Sequence, residues 1–132
     1  MGSMQGSSVK GASRTSTKSA GDAAEGRALA HLEDQGLVLV ARNYRTPGRG
    51  GGEIDLVMRE ADGTLVFVEV RRRAGTAYGG AAASVGWVKQ SRIVFAARHF
   101  LLRWRRTPPC RFDVVVVEGA TLRWLRAAFD AG

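Results

Sequence analysis

Two stretches of this chain are apolar almost without a break, and each carries a charge where an apolar residue is expected. Residues 65–71 read LVFVEVR and residues 112–117 read FDVVVV. Runs of this length, rich in Val and Phe, predict strands buried on both faces. Residues 53–58 form a further predicted strand, joined to Leu65–Arg71 by a hairpin turn at Ala61-Asp62-Gly63. Residues 37–45, with Val38 and Val40, read as another strand, and residues 122–126 as a last one suited to a sheet edge. Two segments carry helical spacing instead. From Asp22, a good N-cap, to Gly36, a good C′ residue, the stripe is Ala24, Ala28, Leu29 and Leu32. From Ser84 to about Arg105 it is Ile93, Ala96, Ala97, Phe100 and Trp104, with Pro108 and Pro109 closing the segment. Residues 46–52 (TPGRGGG) and the Gly/Ala-rich residues 74–83 read as loops, the first of them flexible. The order is helix, three strands, helix, two strands: one α/β domain over residues 21–132, with no internal repeat.

Composition adds three constraints. Residues 1–20 are Gly, Ser, Thr, Ala, Lys and Arg with few apolar side chains, too little to offset the entropy of ordering, so a disordered tail is expected. Twenty Lys and Arg against twelve Asp and Glu give a net charge of +8, which draws polyanions and releases their counterions on contact. Cys110 stands alone, which excludes an intramolecular disulfide and a cysteine-built zinc site and fits a cytoplasmic setting. No apolar run is long enough to span a bilayer, and no membrane role is expected.

The charges inside the strands are the candidate chemistry. Asp55 lies between Ile54 and Leu56, and Glu69 between Val68 and Val70. A buried carboxylate without a partner costs several kcal/mol or takes up a proton. Each therefore needs a cation: a salt bridge to Arg71, Arg72 or Arg111, or a metal ion. Alternation puts Glu53 with Asp55 on one face and Glu69 with Arg71 on one face of the next strand. A hairpin register that brings both pairs to one side builds an oxygen-rich site for Mg²⁺ or Mn²⁺, completed by waters and substrate phosphate. Glu25 points from its helix towards the sheet and is a third candidate; three residues after Asp22, it also fits a capping box.

The stretches LVLVARNYR (37–45), GEIDLV (52–57), LVFVEVRRR (65–73), YGG (78–80), RFDVVVV (111–117) and the terminal AAF (127–129) resemble the YraN-like family of small bacterial proteins over nearly the whole chain beyond the tail. That family is similar to archaeal Holliday-junction resolvases and to the restriction-endonuclease-like superfamily, whose motif is an acid on one strand and E-x-K on the next. The resemblance implies a restriction-endonuclease-like α/β fold, a mixed central sheet of about five strands flanked by helices. It implies Asp55 and Glu69 as metal ligands, Glu25 as the helix-one glutamate, and a possible homodimer. The chain departs from the motif at Arg71, which stands at the lysine position. Arg keeps the charge but not the geometry, and it does not release its proton. Lys89 on the following helix is a candidate to replace that lysine in space. A second departure is the long Gly-rich loop before Glu53.

Basic residues surround these acids in sequence. Arg72 and Arg73 leave the second hairpin strand with Arg71, Lys89 and Arg92 lie on one side of the second long helix, and Arg42 and Asn43 belong to the RN-x-R stretch. All six are candidate nucleic-acid contacts, with DNA ahead of RNA as the expected partner. Tyr78 is expected to anchor its loop to the core, with stacking on a base as the alternative. His31 and His99 have no ligand-like spacing and are expected on helix surfaces; Arg111 and Asp113 share a strand face and are expected to pair, Asp113 also being a weak site candidate. The function expected is a metal-dependent nuclease-like protein; the alternative is a catalytically silent binding module of the same fold.

Overall fold

The computed structural model describes residues 19–73 and 85–132. Helix α1, residues 19–34, packs its Ala24, Ala28 and Leu32 against the sheet. It ends as expected at Gly36 (φ 96°). The Leu37 amide donates to Leu32 O at 3.0 Å and the Gly36 amide to Glu33 O at 3.0 Å, the paired bonds of a Schellman turn. Strands β1 (Val38–Arg45), β2 (Glu53–Arg59) and β3 (Leu65–Arg73) follow, then helix α2 (Trp87–Leu101) and strands β4 (Cys110–Glu118) and β5 (Thr121–Phe129).

The sheet order is β1-β2-β3-β4-β5. All neighbours run antiparallel except β3 and β4, which are parallel and joined through α2. This is an α/β protein with a mixed five-strand sheet between two helices, consistent with a restriction-endonuclease-like fold. The central strands bury both faces, as their apolar runs require. Leu65, Phe67, Phe112, Val114 and Val116 meet Ile93, Ala97 and Phe100 of α2, while Val66, Val68, Val115 and Val117 meet α1. Residues 60–64 close the β2–β3 hairpin, with Gly63 at φ 94° and the Thr64 amide donating to Asp62 Oδ1 at 2.9 Å.

Several expected boundaries move. Helix α1 is already formed at residue 19, so Asp22 is not its N-cap and the capping-box reading of Glu25 falls; residues 1–18 lie outside the described residues. Helix α2 begins at Trp87 after Gly86 with no side-chain cap, and Ser84 lies outside the described residues. It ends at Leu101, not near Arg105, because its last turn tightens: the amides of Leu102, Arg103 and Trp104 donate to the carbonyls three residues back. That turn still brings Trp104 against Phe100, at 5.4 Å between ring centroids. Strand β5 runs on through Ala127, whose φ of 51° marks a bulge opposite β4, to Phe129, which stacks on Phe112. The Gly-rich loop is pinned at its base rather than loose: buried Thr46 donates its amide to Gly52 O at 3.1 Å and receives the Gly52 amide on Oγ1 at 2.8 Å. Both histidines lie on their helices and are half-buried, His99 hydrogen-bonded to the Tyr44 hydroxyl and His31 edge-on to Trp124. Residues 74–83 and Tyr78 lie outside the described residues.

Candidate active site at the opened sheet

The β2–β3 ladder stops at Leu56 and Val68. Beyond it β2 stays with β1 as far as Glu53, and β3 stays with β4 as far as Arg73, so the sheet opens between its second and third strands. The side-chain alternation of β2 breaks at the same place, since Ile54 joins the α2 side and Leu56 the α1 side. Asp55 sits at this break. Its Oδ2 accepts the Val70 amide at 2.8 Å, a donor that the lost ladder would otherwise leave without a partner.

Glu69 lies close enough to Asp55 for the charge of one carboxylate to act on the other. Burial first, and the charge of Glu69 second, push the Asp55 carboxyl up to about 7, against the pull of the Val70 amide. Burial also raises Glu69, and the nearby charges of Lys89 and Arg71 draw it back down. The cation in direct contact is Lys89 from α2, with Nζ 3.6 Å from Glu69 Oε2. Arg71, at the expected lysine position, acts on Glu69 through its charge.

Glu25 reaches the opening from α1. Burial and then the charge of Asp55 raise its carboxyl. Arg42 Nε lies 3.6 Å from Glu25 Oε1. Asn43, with its amide nitrogen turned to the acid, donates to Glu25 Oε1 and Oε2 at 3.1 and 3.3 Å. Asn43 has a left-handed backbone (φ 54°), a conformation that Asn adopts more readily than most residues. Arg42 and Asn43 therefore hold Glu25. Among the described residues no group of three or more His, Cys, Asp or Glu side chains could hold a metal ion, so the centre is the Asp55–Glu69 pair with Glu25 behind it.

A cavity of about 370 Å³ opens between the Gly-rich loop and α2, lined by Arg45, Thr46, Glu53, Lys89 and Arg92 and by the loop glycines but by neither acid of the pair. Lys89 belongs to both places. Gly52 allows the loop to close on α2, since a Cβ there would fall 1.9 Å from Arg92 O. Sequence reasoning found Lys89 and Arg92 but missed Arg45 and Thr46; the available signal was the threonine and glycines that bracket TPGRGGG. The other basic candidates sit elsewhere. Arg73 Nε is 3.6 Å from Glu118 Oε2, and exposed Arg72 lines a separate cavity with Arg27 and Arg73 beside α1. Asp113 takes no part in the site: fully buried, it accepts bonds from Arg111, the Trp124 indole and the Ala127 amide.

A mixed sheet that opens at buried Glu69 and half-buried Asp55, with a helix lysine on Glu69, thus defines the class: an α/β protein with an acidic centre joined through Lys89 to a basic cavity. The chain belongs to the family described as Uncharacterised protein family UPF0102, whose pattern matches residues 24–117 and which is the YraN-like family that the motifs resemble. It is 69% identical to a UPF0102 protein of Paracidovorax citrulli over 121 residues, covering 92% of this chain and 90% of the relative. It is similarly related to a UPF0102 protein of Acidovorax sp., at 70% identity over 115 residues and 87% of each chain. A UPF0102 protein of Methylibium petroleiphilum is 64% identical over 118 residues, covering 87% of this chain and 97% of the relative. Among the described residues no helix is long and apolar enough to cross a membrane.

Proposed function

We propose that this protein is a restriction-endonuclease-like, Mg²⁺- or Mn²⁺-dependent nuclease that binds nucleic acid, DNA ahead of RNA, and hydrolyses a phosphodiester, with archaeal Holliday-junction resolvases as its nearest functional analogy. One observation carries the reading: Asp55 and Glu69 come together where the sheet opens, and Lys89, which pairs with Glu69, also lines a basic cavity. Two adjacent carboxylates whose charges repel each other fit a divalent cation, which would relieve that repulsion and complete its shell with water and phosphate oxygens. Bound there, the ion supplies a more acidic water and charge neutralisation at the phosphodiester. Asp55 and Glu69 would hold the ion. Lys89 sets its ammonium where a phosphate oxygen would compete for it, and Arg71 adds positive charge behind. Glu25, braced by Arg42 and Asn43, keeps a third acid facing the pair.

The second reading is a catalytically silent nucleic-acid-binding module. It is favoured by Arg71 at the lysine position and by the engagement of both acids within the chain, Asp55 by the Val70 amide and Glu69 by Lys89. Cleavage of branched, linear and single-stranded DNA with Mg²⁺ or Mn²⁺ separates the two, using the wild type, Asp55→Asn, Lys89→Ala and Arg71→Lys. The nuclease reading expects activity that Asp55→Asn abolishes and Lys89→Ala lowers by roughly 10²-fold or more. A silent wild type that gains activity in Arg71→Lys has an intact but disarmed site. Silence in every variant, with salt-sensitive binding, leaves the module.

A further inference from the structure

Helix α2 has an apolar face turned away from the sheet. Trp87 is 76% exposed, Phe95 54%, and Leu102, just beyond the helix, 77%. With Ser91 between them, these residues recur every four to seven positions and form one stripe along a helix about 22 Å long. Large apolar side chains aligned in this way mark a contact surface more than a scatter of exposed residues does.

Two grooves flank the stripe. One, of about 500 Å³, is lined chiefly by apolar residues, among them Val94, Leu101, Trp104 and Phe112. The other, of about 450 Å³, is bordered by Trp87, Phe95, Arg98 and Asp130. Arg98 and Asp130 carry opposite charges on this one groove, yet among the described residues neither forms an ion pair. The stripe is nearly symmetric about Phe95, with Trp87 towards one end and Leu102 at the other. An antiparallel copy of the same helix would place Phe95 near Phe95, Trp87 near Leu102, and Arg98 of each copy towards Asp130 of the other, because equivalent flanks meet when two helices pair about a two-fold axis. The helix pair alone falls short of the roughly 800 Å² per partner of a standard interface, and the flanking grooves supply the remaining surface.

We infer that the Trp87–Phe95–Leu102 face of α2 is a self-association surface that takes a second copy of this chain in antiparallel, two-fold fashion, with Arg98 and Asp130 as reciprocal ion pairs. The inference is independent of whether the acid pair cleaves anything. It is tested by sedimentation of the full chain from low micromolar to high concentration. The wild type is expected to approach twice its 14.2 kDa mass. Phe95→Glu, on an exposed position, is expected to leave the circular dichroism of the monomer unchanged and to weaken the dimer by at least about tenfold. Arg98→Asp alone and Asp130→Arg alone are each expected to weaken it, and the double variant Arg98→Asp/Asp130→Arg to restore it, an outcome that only charge pairing across the interface produces. A wild type that stays monomeric throughout, a dimer indifferent to Phe95→Glu, or a double variant as weak as the singles overturns the proposal.

Discussion

Asp55 holds a charge that the fold does not favour, and its pH behaviour follows. Unfolded, its carboxyl titrates near the ordinary value of 3.8; folded, burial and Glu69 push it up to about 7. Between these values the folded state binds more protons than the unfolded state, so stability falls as pH rises through the window from about 4 to about 7 and levels off above it. Glu69 is shifted in the same direction and adds to the slope. Metal-free protein is therefore expected to melt several degrees lower at about pH 8 than at about pH 5. Asp55→Asn keeps an acceptor for the Val70 amide and removes the repulsion; it should raise stability at about pH 8 by roughly 1–2 kcal/mol. A melting temperature that is flat with pH, or an asparagine variant that is less stable, would show that the pair is not strained by charge. Gly52 makes the opposite kind of prediction. With its Cβ position 1.9 Å from Arg92 O, Gly52→Ala must push the loop off α2 and should cost about 1–3 kcal/mol in urea denaturation. A neutral outcome there would mean that the loop has room to move.

Among the elements, β5 depends on one acid. Fully buried Asp113 accepts from Arg111 Nε at 2.9 Å and Nη2 at 3.0 Å, from the Trp124 indole at 2.9 Å and from the Ala127 amide at 2.9 Å. It ties the bulged edge strand to the sheet centre. Asp113→Ala leaves the Trp124 indole and the Ala127 amide without their acceptor and the Arg111 guanidinium with Glu60 alone, and should cost about 2–4 kcal/mol, with amide exchange quickening first along β5. Uniform exchange across the sheet would argue against a local tether. The i, i+2 spacing of Arg111 and Asp113 made their pairing legible in sequence. The indole and amide partners were not, because they arrive across a ladder whose register shifts between Phe112 and Val114. Element identities were legible throughout, since apolar runs and helical stripes are set by burial. Helix ends were less so: Asp22 offers a good local cap, yet the helix has already formed at residue 19.

At the scale of the whole molecule, the net charge of +8 and the Arg45–Lys89–Arg92 cavity bear on how nucleic acid would be held. If Arg92 meets a phosphate, Arg92→Ala should weaken DNA binding across sequences and reduce the slope of log affinity against log salt by about 1. An unchanged slope would move the contact off this cavity. The acid pair itself was legible because a charge inside an apolar strand needs a reason. Its setting was not, because the opening between β2 and β3 and the approach of Lys89 are tertiary events. They also differ in when they can happen. Strands β1, β2 and β3 are joined by nearest-neighbour connections, whereas the parallel pairing of Leu65 with Cys110 waits for the α2 crossover. Local hairpins close faster than distant pairings, so the two carboxylates are expected to meet during folding before the lysine that balances them, and pulse-labelled amide exchange that protects α2 ahead of β2 and β3 would refute that order. The late half of the chain thus comes home to a centre already short of positive charge, and a divalent ion or a proton present at that moment would ease the assembly of the native sheet.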